Sequence, residues 1–241
     1  MKILTRLAQL LFVLCLPVMI MTGSIAWAVN SGWLYMAGFE KYGVAESLAE
    51  NGLPVTRADL RQITSGFIRY FNSGEEYIHL TIPVRGQVVE LFNQEEIMHF
   101  RDVKGLFRLD YGVLLGTFLY CAAFAAVVMF RRKYRLLARN LTIGGGITLG
   151  IIALLGIGIA FDFDNLFYEF HLISFSNQFW SAEGNMLLLF PGGFWYDMVV
   201  YVTLFAAGLA LVLGGVGGVY LWRAGRKDKR ARGNPSAVKP A

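Results

Sequence analysis

Histidine is the side chain that titrates closest to neutral pH, and this chain of 241 residues has three of them. His79 alternates with apolar neighbours in a short run and reads as a structural residue of a strand. His99 lies in Glu95-Glu96-Ile97-Met98-His99-Phe100-Arg101-Asp102-Val103. If that run is helical, Glu95, His99 and Asp102 share one face at i, i+4 and i+7. His171 lies in Phe170-His171-Leu172-Ile173-Ser174-Phe175-Ser176-Asn177. Two histidines and a carboxylate admit three readings. They are general acids and bases working near neutral pH, or ligands of a metal, since Glu-x-x-x-His-x-x-Asp offers donors on one face, or helix-cap and interfacial hydrogen-bonders without chemistry. No G-x-S-x-G elbow, H-E-x-x-H pair or P-loop occurs, so the usual hydrolase, zincin and NTPase routes have no support.

The elements that must position these residues are set by composition. The chain is 56% hydrophobic and 16% charged, whereas a soluble domain is about 45–50% apolar and about 25% charged. Four stretches, 7–29, 111–130, 141–160 and 196–222, are apolar and long enough to cross about 30 Å of hydrocarbon. Fourteen of the 22 Lys and Arg fall at the N-terminal tip, in 131–139 and after 222, while sixteen of the 17 acids lie between those regions. That segregation marks membrane orientation and excludes a nucleic-acid-binding face. It predicts 1–6 as a cytoplasmic tip, 30–110 as an extracytoplasmic region, 131–140 as a basic cytoplasmic loop, 161–195 as an aromatic extracytoplasmic segment and 223–241 as a basic cytoplasmic tail. Ala26-Trp27-Ala28 after the first apolar stretch imitates a signal-peptide cleavage site, but the stretch exceeds a signal core of 7–15 residues, so it reads as a retained span. Cys15 and Cys121 both lie in apolar runs and cannot staple an outer domain. Gly146 to Gly150 and Gly214 to Gly218 have the G-x-x-x-G spacing that lets helices approach closely.

Between the spans the pattern changes. Residues 44–50 have a short helical period, and Thr56 with Asp59 three residues on predicts a helix start, with the helix running to about Phe71. Two alternating runs, 77–83 and 87–92, flank Arg85-Gly86 and predict a hairpin. Residues 95–108 predict a helix entering the second span directly. In 161–196, twelve of 36 residues are aromatic. An interfacial girdle accounts for the rings, but not for His171, Ser174, Ser176, Asn177 and Asn185 among them. The sharper reading is a groove whose rings hold acyl chains while the polar groups meet a head group. The expected fold is an all-α polytopic membrane protein, with four transmembrane helices and a small extracytoplasmic α+β element, a short hairpin, resting on the bundle.

The runs Phe39-Glu40-Lys41-Tyr42-Gly43-Val44, Leu60…Tyr70, Leu91-Phe92…Glu96-Ile97-Met98-His99-Phe100-Arg101-Asp102-Val103-Lys104 and Phe170-His171-Leu172-Ile173-Ser174-Phe175-Ser176-Asn177…Trp180…Phe190-Pro191, with four spans in that order, resemble the lipoprotein intramolecular transacylase (Lit) family. The match covers nearly all of the chain except the basic tail. The resemblance implies a bacterial plasma-membrane enzyme without a cofactor or metal, active at the extracytoplasmic face. It implies transfer of the sn-2 acyl chain of a lipoprotein's S-diacylglyceryl group to the α-amino group of the same cysteine, giving an N-acylated lyso-form. The family's two motif histidines map onto His99 and His171. The expected catalytic set is His99, His171 and Asp102, and the expected substrate-binding set is Phe170, Phe175, Asn177 and Trp180. Partners are diacylglyceryl lipoproteins and membrane lipid, not nucleic acid; the oligomeric state is unknown. Two departures stand out. Phe100 replaces an expected Met, and Ser181-Ala182-Glu183-Gly184-Asn185 replaces an Asp-Pro followed by a second Asp, so that Asn185 keeps a hydrogen bond but not a charge. Competing classes are a non-enzymatic lipoprotein-binding or assembly protein and a metal-dependent membrane hydrolase.

The basic loops fix the expected orientation, both termini being cytoplasmic. A reporter fused in the 131–135 loop is expected to be active only as a cytoplasmic fusion, and outward exposure of that loop would reverse the assignment.

Overall fold

The computed structural model describes residues 2–233 apart from 85 and 182. Met1, Arg85 of the expected hairpin turn, Ala182 after Trp180 and residues 234–241 of the expected tail lie outside the described residues. The element order is α1 (Lys2–Val29), α2 (Gly32–Lys41), α3 (Val44–Glu50), α4 (Arg57–Asn72), β1 (Thr81–Val84), β2 (Gln87–Glu90), α5 (Gln94–Phe130), α6 (Tyr134–Ser174), α7 (Asn185–Leu189) and α8 (Gly192–Gly233). Four of these, α1, α5, α6 and α8, are long and apolar enough to cross a membrane. With one two-stranded sheet among the described residues, this is the polytopic helical fold that the sequence predicts.

Helix α5 shows why the outer region connects to a span without a loop. At 37 residues it is about 55 Å long, well beyond about 30 Å of hydrocarbon, so its polar first half projects past the apolar second half. Helix α6 is interrupted at Asp162, whose φ of −161° and ψ of 84° are extended, not helical. The Asp162 carboxylate accepts a hydrogen bond from the Asn165 N–H at 3.1 Å and so restarts the helix that carries His171.

Contacts divide the chain into two compact units. The first comprises residues up to Thr22, Val113–Leu154 and those from Leu204 onward. Phe12, Leu16 and Ile20 of α1 form its core with Cys121, Ala206 and Ala210. Its closest approach differs from the expected glycine spacing by one position. A Cβ on Gly145 would stand 2.8 Å from the Ala210 carbonyl oxygen and 2.9 Å from the Gly214 Cα, and one on Gly217 would strike the Ala138 carbonyl. Gly146 and Gly150 face open space. The crossing uses Ala138, Thr142 and Gly145 against Gly214 and Gly217, because spacings of three and four alternate along a helix face, and Thr142 bridges it by donating to the Gly214 carbonyl at 3.3 Å.

The second unit comprises Gly23–Gly112 and Leu155–Thr203. Its core is aromatic: Phe67 lies 5.2 Å from Phe190 and 5.1 Å from Phe100, and Phe39 stacks on Phe194 at 5.8 Å. Helix α4 begins with the predicted capping box, the Thr56 hydroxyl accepting from the Asp59 N–H and the Asp59 carboxylate from the Thr56 N–H. The strands are shorter than predicted. Residues 77–80 lie outside β1, because the chain leading to them is gripped by α5: the Lys104 ammonium donates to the Ser73 hydroxyl at 3.2 Å and to the Glu75 carbonyl at 2.6 Å. Gly86, at φ +84°, supplies the left-handed turn between the strands.

Replacing Gly145 by Leu is expected to cost about 1–3 kcal/mol through overpacking, read as a lower unfolding temperature in detergent. Gly146→Ala, whose Cβ meets nothing, is expected to stay within about 0.5 kcal/mol of the parent. Equal effects of the two changes would remove this crossing from the account.

Candidate active site

The site begins at the first turn of α5. The Glu96 N–H donates to the Asn93 side-chain oxygen at 3.0 Å, and the Asn93 N–H donates to the Glu96 carboxylate at 2.8 Å, a reciprocal N-terminal cap. The other Glu96 oxygen accepts the Met186 N–H at 2.5 Å, in the first turn of α7. The Asn93 amide donates to the Glu183 carbonyl at 3.2 Å, and the Asn185 amide to the Leu91 carbonyl at 2.6 Å. A Cβ on Gly184 would run into the Glu96 carboxylate, so only glycine lets the chain pass this close. Glu96 is 1% exposed; burial pushes its pKa up against the pull of the two backbone N–H groups. Asn185 here acts as a donor toward a carbonyl, a bond that an ionised aspartate in its place could not make.

One turn further along α5 stands His99. It meets His171 from the last turns of α6, the ring centroids lying 6.1 Å apart with the planes inclined by 29°. Both imidazoles are only 7% exposed. Phe175 touches both, edge-on to His99 at 4.9 Å and 5.5 Å from His171. Trp180 lies 4.9 Å from His171 on another side, and Phe167 packs edge-on at 4.4 Å. His171 Nδ1 is 2.7 Å from the Phe167 carbonyl oxygen. A carbonyl can only accept, so Nδ1 carries the proton and Nε2 keeps its lone pair. Phe170 stands at the rim, 5.4 Å from His171 and 49% exposed, and Leu166 and Ile173 on the same helix are exposed as well.

Asp102 does not meet either imidazole. It accepts a hydrogen bond from the Asn177 amide at 2.8 Å, and the Asn177 oxygen in turn accepts the Phe179 N–H at 3.1 Å. Asp102 thus holds the turn that delivers Trp180. Its charge raises the pKa of His99, as its place on the same face suggests, but burial first and His171 second outweigh it, and the His99 pKa is pushed down to about 4. At neutral pH a ring with that pKa is uncharged. Burial likewise lowers the pKa of His171, against the Phe167 hydrogen bond. His99 Nδ1 and Trp180 Nε1 are both buried without a hydrogen-bond partner. Native interiors rarely leave such groups unpaired, and here two flank the same pair of imidazoles.

Of the residues singled out by sequence, His99, His171, Phe175 and Trp180 converge, Phe170 edges the cluster, and Asp102 and Asn177 brace one another. His79 is elsewhere, exposed and 4.0 Å from Glu90. Among the described residues no group of three or more His, Cys, Asp or Glu gathers to hold a metal. Sequence reasoning missed Glu96 as a clamp, although Asn93-x-x-Glu96 carries the capping signature, and Lys104 as a tether.

Comparison with known proteins adds three findings. The family model described as "Lipoprotein intramolecular transacylase Lit" matches residues 10–195. No curated protein sequence matches the chain. Among solved structures, the membrane integral lipoprotein intramolecular transacylase Lit from Bacillus cereus is similar, with a TM-score of 0.76 and 20% identity over 95% of this chain and 99% of that one. Variants of that protein with one histidine replaced by arginine or by alanine each match with a TM-score of 0.74 and 18% identity, over 94% of this chain and 96% or 97% of theirs.

The depressed pKa of His99 has a consequence for stability. A histidine held below its ordinary 6.5 contributes stability that is complete above that value and is lost as pH falls toward about 4. Stability in detergent is expected to fall between those limits with a slope of up to about 1.4 kcal/mol per pH unit for each proton taken up. His99→Phe is expected to flatten it by about one proton, and an unchanged slope would show that another group takes up that proton.

Proposed function

The chain belongs to the lipoprotein intramolecular transacylase (Lit) family, and we propose that His99 and His171 together perform the acyl transfer for which the family is named. It is a multi-pass membrane enzyme. In the reaction the sn-2 acyl chain of a lipoprotein's diacylglyceryl group moves to the α-amino group of its N-terminal cysteine, leaving the lyso-form. The observation that carries the residue assignment is the meeting of two buried imidazoles 72 positions apart in sequence, one on α5 and one on α6, sharing Phe175 as a common wall.

The α-amino nitrogen must lose a proton to attack the ester carbonyl. Nε2 of His171 is the base, because its Nδ1–H is committed to the Phe167 carbonyl and because burial keeps the ring uncharged at neutral pH. Attack forms the N–C bond and a tetrahedral oxyanion. The neutral His99 ring donates one N–H to that oxygen; a neutral imidazole serves this purpose without first burying a charge. Collapse breaks the bond to the sn-2 oxygen, and His171 returns the proton to that oxygen. The products are an amide and a secondary alcohol, with no net gain or loss of protons beyond the amine's own ionisation. Amine and ester belong to one molecule, so the site has only to fold its substrate into a near-attack geometry, and no enzyme nucleophile is needed.

Phe170 and the apolar outward face of α6 about it hold the acyl chains, while Phe175 and Trp180 enclose the reacting end. The Lys and Arg excess in 131–139 and after 222 supports a reading with both termini in the cytoplasm and the site at the extracytoplasmic face of the plasma membrane, where the lipoprotein presents its lipidated cysteine from the outer leaflet.

Losing one general acid–base group typically costs 10²–10⁴-fold, and groups that act as a unit do so non-additively. His99→Ala, His171→Ala and the double variant are therefore expected to be similarly inactive, while His79→Ala keeps most activity. Mass spectrometry of the N-terminal lipopeptide of a co-expressed lipoprotein reads the result. Full conversion with either His99 or His171 replaced, at normal protein level, would remove that residue from the mechanism, and no conversion by the unaltered chain would leave a binding protein.

A further inference from the structure

Beside the histidine pair the second unit holds a cavity of about 720 Å³, within the 300–1,000 Å³ range of small-ligand sites. Its character is not that of a lipid pocket. Arg101, Lys104 and Arg108 line it together with Glu75, Glu76 and Asp102, three cations against three carboxylates. Much of this charge is already matched: Arg101 pairs with Glu76 at 3.1 Å, Asp102 holds Asn177, and Lys104, 2% exposed, rests on neutral oxygens. Ser174 and Ser176 add hydroxyls from the end of α6. Two glycines, Gly74 and Gly105, widen it, and a Cβ at either would meet nothing within 4 Å.

The cavity and the imidazole pair share walls. Phe175, in contact with both rings, also lines the cavity, and Asp102 lines it one turn along α5 from His99. In the substrate, the attacking α-amino nitrogen and the first peptide carbonyl hang on the same carbon. Wherever the nitrogen meets His171, the polypeptide therefore leaves within two bonds of it and must enter space bordering the pair. A peptide brings one N–H and one C=O per residue, and both need partners in a space partly closed to water. A lining that carries donors and acceptors in balance supplies them, whereas the phosphate of an anionic lipid would face as many carboxylates as cations.

We infer that this cavity receives the polar peptide segment that follows the lipidated cysteine, so that the enzyme binds its substrate by the protein part as well as by the lipid. The inference rests on the transacylase reading above. Bulk introduced from either wall is expected to exclude the peptide and spare the lipid contacts.

The test uses the purified full chain in vesicles of phosphatidylcholine and phosphatidylglycerol with two synthetic substrates. One is an S-diacylglyceryl-cysteine amide with no further residue, and the other carries a polar peptide of several residues after the cysteine. The unaltered chain is expected to prefer the long substrate, and Gly105→Phe and Ser176→Trp are each expected to lower the ratio of kcat/KM, long over short, by at least about tenfold, chiefly through KM. An unchanged ratio, or equal losses on both substrates, overturns the inference while leaving the transacylase reading intact. So does a loss that vanishes when phosphatidylglycerol is omitted, since the occupant is then an anionic lipid. Where neither variant accumulates, the unaltered chain decides: a long substrate turned over no better than the short one overturns the inference. Conversion of neither substrate by the unaltered chain sinks the transacylase reading and this inference with it.

Discussion

A carboxylate taken out of water has to be satisfied where it lies, and in this protein that requirement is met at Glu96. Its two oxygens are used by the Asn93 and Met186 N–H groups, one in its own cap and one ninety positions away in sequence. Removing the acceptor would leave the buried Met186 N–H unpaired, at a cost of about 1–3 kcal/mol, and would undo the cap at Asn93. Once Glu96 has fixed the 183–189 stretch against the start of α5, successive turns of the same helix take hold of other segments. His99 meets the end of α6, Asp102 holds the turn at Asn177, and Lys104 holds the chain at 73–75. The helix acts as a ruler, and the distance between the imidazoles is one of the lengths it sets.

The same burial decides the electrostatics. Two histidines placed together cannot both charge cheaply, and each ring's desolvation adds to the effect. The outcome is a pair of neutral imidazoles, with a tautomer fixed at His171 by the Phe167 carbonyl. Under the proposed mechanism, a site that accepts a proton from an ammonium and presents an N–H to an oxyanion gains from having both rings uncharged at rest. A standing imidazolium at His99 would bind the ester carbonyl and repel the ammonium that has to approach it. Asp102, engaged by the Asn177 amide, is spent on the turn that brings Trp180 against His171.

Much of this was readable beforehand, and for identifiable reasons. The four spans follow from runs of apolar residues, because hydrocarbon leaves backbone groups no partners outside a helix, and the α4 capping box follows from Thr56 and Asp59 alone. His99 and His171 were legible as a set because both match a family motif. What could not be read is long-range choice among equivalents. Period alone does not say whether Gly145 or Gly146 meets its neighbour, since both lie within one turn. The short stretch 77–80 alternates as a strand does, yet α5 takes the chain before it. Asp102 shares a face with His99, yet Asn177, 75 positions away, competes for it and wins. In each case the residue pattern lists suitable partners, and packing from elsewhere selects one.

The division of charge along the chain completes the physical logic of a one-substrate enzyme. Lipid-anchored substrate reaches the site by diffusion in the plane of the membrane, so the protein need not capture it from water. In the proposed mechanism the amine and the ester arrive tethered, so no covalent enzyme intermediate has to wait for a second reactant, and the sequence has no G-x-S-x-G elbow to hold one. What remains for the protein is to keep water from competing for the acyl group. The aromatic enclosure of His171 by Phe167, Phe175 and Trp180 meets that need. In the proposed mechanism, water admitted at this point would hydrolyse the same ester with the same base, yielding a lyso-lipoprotein with a free amine. The density of rings in 161–196, unexplained by a girdle alone, fits the proposed chemistry: selectivity for amine over water is built from apolar ring faces, the Trp180 N–H being the one donor among these three rings.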